Sequence, residues 1–106
     1  MRSSSLTLIL TLLTSCSIQP SIVGSWKCTR PEVINTEEFL ADGTLISHYE
    51  LLGEFPQKGQ NAGTWKILQG DRLQIDYKGK DTNVVGYEVK GDKFRYVPSE
   101  VWCDRE

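Results

Sequence analysis

The sequence predicts an all-β domain, a small up-and-down antiparallel meander of seven to eight strands closing into a barrel or a strongly curled sheet. Three observations carry that expectation. Glycine-bearing turns recur at short intervals, as in Asp42-Gly43, Gly70-Asp71 and Gly91-Asp92. Between them the side chains alternate with period two. The alternation is cleanest over residues 72–77, where Leu73, Ile75 and Tyr77 share one face and Arg72, Gln74 and Asp76 the other. No window of the domain sustains the 3.6-residue period of a helix.

Taken in order, Gly24-Ser25-Trp26-Lys27-Cys28-Thr29 reads as a first strand, with Trp26 and Cys28 on one face. The stretch from Thr36 to Leu40 has the composition of a helical turn, but Asp42-Gly43 would cut such a helix to two turns at most. It reads better as a strand ending at the strongest two-residue hairpin signal. Residues 44–52 return with Leu45, Tyr49 and Leu51 in phase, followed by a polar loop containing Pro56, Gly59 and Asn61. Residues 63–68 turn through Gly70-Asp71 into 72–77, and Lys78-Gly79-Lys80-Asp81 turns again into 84–90. Gly91-Asp92 reverses the chain into 93–97, which Pro98 ends, and Val101-Trp102-Cys103 adds a short edge piece. Closure is the natural way for such short strands to remove exposed edges.

With 106 residues the chain has room for one domain. Twelve Lys and Arg against fourteen Asp and Glu leave a net charge of -2, which excludes a nucleic-acid binder working by counterion release. Little material for catalysis is present. His48 is the only histidine and has no nucleophile elbow, phosphate loop or zinc motif beside it. Glu37 and Glu38 are adjacent on a strand and point to opposite faces, so they do not make a glycosidase dyad. The aspartates are scattered over several turns and do not form a calcium loop. The expectation is a protein that is not an enzyme and uses no metal or cofactor.

The N-terminus opens with Met1-Arg2-Ser3-Ser4-Ser5 and an apolar run over residues 6–13, the pattern of a secretory signal and too short to span a membrane. Leu13-Thr14-Ser15-Cys16 then resembles the lipobox of bacterial lipoproteins. The resemblance implies a cleaved signal peptide over residues 1–15 and a diacylglyceryl group on Cys16, with acyl chains of the palmitate class. It also implies a lipidated tether over residues 16–21 and a domain over residues 22–106. Two or three acyl chains, at roughly 0.8 kcal/mol per buried methylene, hold such a protein permanently at the membrane. By the same resemblance, Ser17 in place of an inner-membrane retention Asp implies the outer membrane, facing the periplasm.

If Cys16 carries lipid, Cys28 and Cys103 remain as an even pair in an oxidising compartment. A structural disulfide between them is expected, tying the first strand to the last. Close C-x-x-C spacing, the mark of a redox pair, is missing.

Gly24-Ser25-Trp26-Lys27 and Gly63-Thr64-Trp65-Lys66 echo each other 39 residues apart, with Phe39-Leu40-Ala41-Asp42-Gly43-Thr44 between them. In order and spacing these are similar to the small bacterial lipocalin-like domains, over residues 22–78. The resemblance implies a β-barrel that binds a small hydrophobic ligand or serves a structural role. Trp26, Phe39, Tyr49, Trp65 and Tyr87 are then the candidate ligand-binding residues. Two readings stand for Trp26 and Trp65: core aromatics closing the barrel floor, or walls of a ligand pocket. The alternative function is a protein-interaction module of the periplasm. It would be lysozyme-inhibitor-like or an accessory subunit of an envelope complex, with residues 54–61 as its contact loop.

Overall fold

The computed structural model describes residues 21–106, so the expected signal peptide, the expected lipidation site Cys16 and the expected tether up to residue 20 lie outside the described residues. Eight strands run in sequence: β1 (Gly24–Arg30), β2 (Val33–Phe39), β3 (Thr44–Leu51), β4 (Gln57–Leu68), β5 (Arg72–Tyr77), β6 (Asn83–Lys90), β7 (Lys93–Val97) and β8 (Cys103–Arg105). Each pairs antiparallel with the next, and β8 returns to β1, so the meander closes into a barrel. Among the described residues there is no helix.

Register decides which face of each strand points inward. Trp26 stands opposite Glu37, Cys28 opposite Asn35, and Gly24 opposite Phe39. Along β3 the same layer continues as Leu45, Ser47 and Tyr49. The apolar part of this inner face forms the core: Ile22, Trp26, Phe39, Leu45, Leu73 and Phe94 are wholly buried. Phe94 sits at its centre, with ring centroids 5.6 Å from both Trp26 and Phe39, and Phe39 meets Trp65 edge-on at 5.7 Å. Burying side chains of this size stabilises the domain by roughly 1.5–3 kcal/mol each.

One end of the barrel is sealed by this cluster. Trp26 Nε1 donates to the Ile22 carbonyl at 2.8 Å and Trp65 Nε1 to the Leu40 carbonyl at 2.9 Å. Both indoles thus satisfy their polar atom while closing the floor. Arg105 covers the outside of that floor, its guanidinium 4.1 Å from the Trp26 ring centroid. It also donates to the Ser21 and Val23 carbonyls, at 3.1 and 3.2 Å. The β2–β3, β4–β5 and β6–β7 turns lie at this closed end, as does the entry of the N-terminal segment. The β1–β2, β3–β4, β5–β6 and β7–β8 connections surround the opposite, open end.

The seam between β1 and β8 is short, with Trp26 paired to Arg105 and Lys27 to Asp104. One step along the ladder the Cys28–Cys103 disulfide joins the same two strands. The piece expected at an edge therefore closes the barrel instead of bordering it.

Two local expectations differ from the structure, and the strand reading of residues 36–40 holds. The Asp42-Gly43 hairpin uses three residues, not two. Leu40 and Thr44 pair through a 2.9 Å bond, and Gly43, at φ 93°, turns the chain between them while its N–H donates to the Leu40 carbonyl. Asp42 Oδ1 accepts the Thr44 N–H at 2.9 Å, and its carboxyl is held below the usual carboxylate range by the Thr44 hydroxyl first and by that N–H second. The stretch from Thr36 to Leu40 is strand almost to its end, because β2 has paired neighbours on both sides. Finally, the polar segment containing Gly59 and Asn61 is not a loop. It is the first half of β4, in continuous register with β3 from Leu51↔Gln57 to Thr44↔Thr64. Its polarity suits a wall that faces solvent outside and a polar lumen inside. Gly59 is required there because the Tyr49 ring lies where its side chain would be.

Candidate functional site

Above the aromatic floor the inner face changes character. On β2 the inward positions run Phe39, Glu37, Asn35, so apolar packing gives way to a carboxylate and then an amide within four residues. Opposite them on β3, Leu45 gives way to Ser47. Glu37, Asn35 and Ser47 line a cavity of about 240 Å³ at the open end, together with Cys28, Arg30, Tyr96, Ser99, Val101 and Cys103. A shallower groove continues outward over Pro31, Val33, Tyr49 and Leu51, sharing Arg30, Asn35 and Ser47 with it.

Glu37 is the centre of the site. It is only 6% exposed, and it is the one charged residue buried among those described. Ser47 Oγ donates to Oε2 at 2.5 Å, and Tyr96 Oη donates to Oε1 at 2.9 Å. No Lys, Arg or His lies within 4.0 Å of it among the described residues. Burial, with the Glu37 charge second, pushes the Tyr96 phenol well above its ordinary value. The same two causes raise Tyr77, while burial followed by Asp71 raises Tyr87. All three hydroxyls thus remain protonated donors at neutral pH. At the rim Arg30 Nη2 donates to Asn35 Oδ1 at 2.5 Å.

The candidate residues read from the sequence divide clearly. Trp26, Phe39 and Trp65 belong to the packed floor, and none of them lines the cavity. Tyr49 stands in the wall of the outer groove, whereas Tyr87 packs against the core and lines neither space. Cys28 and Cys103 are bonded to each other and form part of the cavity lining. Glu37 and Tyr96, the residues with the most developed polar environment, are not among the sequence-derived candidates. A signal for Glu37 was present: it lies two residues before Phe39 and therefore shares its face.

His48 lies on the outer surface, its side chain 42% exposed, with Nε2 2.6 Å from Glu38 Oε1. Ser47 therefore has no histidine beside it. No group of three or more metal-ligating side chains occurs among the described residues. What the cavity offers is one uncompensated negative charge, neutral donors around it, and a cation at the rim.

No protein-family model matches the chain, and no curated protein or solved structure is significantly similar to it.

Proposed function

We propose that this protein is a non-enzymatic, lipid-anchored binding protein of the bacterial envelope that takes a small polar molecule into the open end of a lipocalin-like barrel. One observation carries the reading: a buried carboxylate with no counter-ion faces a cavity of about 240 Å³. Desolvating a charge is costly unless a partner compensates it, and a bound ligand supplies that partner. Trp26, Phe39 and Trp65 fill the apolar half of the barrel themselves, which favours a polar ligand over a hydrophobic one.

The anchor fits this use. A lipid on Cys16 would join the domain at the closed end, where Arg105 holds Ser21 and Val23. The cavity would then open away from the bilayer, toward solutes of the surrounding compartment.

The reading is tested by native mass spectrometry of the protein extracted from membranes. A mass increase at Cys16 together with a dissociable small molecule is the expected result. An acylated chain with no small molecule, and with no cavity residue responding to added solutes, would overturn it. A second reading, a protein-interaction module, is favoured by Phe55. Phe55 is 82% exposed in the β3–β4 connection, and Leu52 in the same connection is 41% exposed. A co-purifying protein that Phe55→Ser releases would support that reading instead.

A further inference from the structure

Resting on the reading of the cavity as a small-molecule site, we propose that its ligand is a small zwitterion. Its ammonium group is held by Glu37 and its carboxylate by Arg30. Both protein donors to Glu37, Ser47 and Tyr96, are neutral, so they satisfy lone pairs without cancelling the charge. Each carboxylate oxygen retains acceptor capacity, and an ammonium group brings three donors. A cation is the group this position lacks.

Arg30 supplies the second half. Its bond to Asn35 Oδ1 brings the guanidinium to the level of Asn35, two residues along β2 from Glu37. Two residues of strand correspond to roughly 6–7 Å. Apart from Asn35, no acceptor engages Arg30 among the described residues, which leaves most of the guanidinium's five donors available to an anion. A negative and a positive group therefore stand one step apart along the axis of a single cavity.

This pairing selects against simpler ligands. A monocation bound at Glu37 would lie close to the Arg30 charge, and a monoanion bound at Arg30 would lie close to Glu37. An apolar molecule would desolvate both without pairing either. A molecule carrying both signs satisfies both ends and adds no net charge. An ammonium and a carboxylate separated by a few bonds, as in a free amino acid, match the span.

The test is titration calorimetry and amide chemical-shift mapping on the full detergent-solubilised chain. Glycine, β-alanine and γ-aminobutyrate are the zwitterionic probes, with n-butylamine and butyrate as single-charge controls. At least one zwitterion is expected to bind about tenfold or more tightly than either control, with shifts at Ser47 and Tyr96. Arg30→Gln, at an exposed position, and Glu37→Gln are each expected to weaken it about tenfold or more, as loss of a charge-assisted bond does. Should Glu37→Gln fail to fold, the Arg30→Gln result decides alone.

Equal binding of butylamine, or no effect of Arg30→Gln, would overturn the zwitterion while leaving a small-molecule site. If none of the five compounds shifts Ser47 or Tyr96, the zwitterion is overturned. Membrane-extracted protein that also carries no dissociable molecule would overturn the underlying reading as well.

Discussion

Tyr96 on β7 donates its hydroxyl to Glu37 on β2 at 2.9 Å, although these strands are not neighbours in the barrel wall. The bond crosses the lumen and joins residues 59 apart in sequence. Tyr96→Phe would leave Glu37 with Ser47 as its one protein donor. The expected loss is about 1–3 kcal/mol of unfolding free energy at neutral pH, measured by urea denaturation. A variant as stable as the parent would mean that water replaces the bond at no cost.

The same pair sets the alkaline limit of stability. The folded Tyr96 phenol ionises well above its ordinary value of 10.0, because it is buried and faces Glu37. Above pH 10 the unfolded chain therefore releases this proton first, and stability falls as pH rises toward the folded value. Each such proton contributes a slope of up to about 1.4 kcal/mol per pH unit. Tyr77 and Tyr87 act in the same direction. Urea midpoints taken between pH 8 and 11 should fall less steeply in Tyr96→Phe than in the parent.

Reduction of the Cys28–Cys103 disulfide is expected to cost about 4 kcal/mol, since it closes a loop spanning 75 residues. The seam it supports has only two paired positions on each strand. Hydrogen exchange in the reduced protein should therefore accelerate first in β8. Uniform exchange throughout the barrel would show that the seam holds without the bond.

Two glycines of β4 are expected to respond differently to a methyl group. At Gly63 an added Cβ meets the Asp76 carbonyl oxygen, which the sheet holds in place. At Gly59 its nearest neighbours are atoms of the Tyr49 side chain. Gly63→Ala should cost about 1–3 kcal/mol, the usual penalty of overpacking. Gly59→Ala should recover most of its loss when combined with Tyr49→Ser. Thermal melts of the single and double variants check this, and an unrescued Gly59→Ala would contradict it.

The proposed lipid anchor on Cys16 predicts an orientation. A dye on Gln69→Cys, in the exposed β4–β5 turn at the closed end, should be quenched by lipid-borne quenchers. A dye on Phe55→Cys, at the open end, should not be. Equal quenching at the two positions would remove the geometric argument that the cavity faces away from the bilayer.

Strand identity was largely legible in the residues. The alternation of Leu73, Ile75 and Tyr77 and the glycine turns are local signals, because side-chain direction along a strand depends only on parity. Parity also put Trp26 and Cys28 on one face, which proved to be the inner one. The failure at residues 57–62 came from composition. Gln57, Lys58, Gln60 and Asn61 have weak strand preference, and only their pairing with β3 makes them a wall.

The chain alone thus determined a meander of short β-strands with turns at its glycines, because both follow from neighbouring residues. Closure of the ring, the sealing of one end by Trp26, Phe39, Trp65 and Phe94, and the polar cavity at the other were decided by tertiary structure. That Glu37 and Glu38 face opposite ways is a local fact. That Glu37 is the inner one, meeting Tyr96 across the lumen, depends on inter-strand register and on closure through β8.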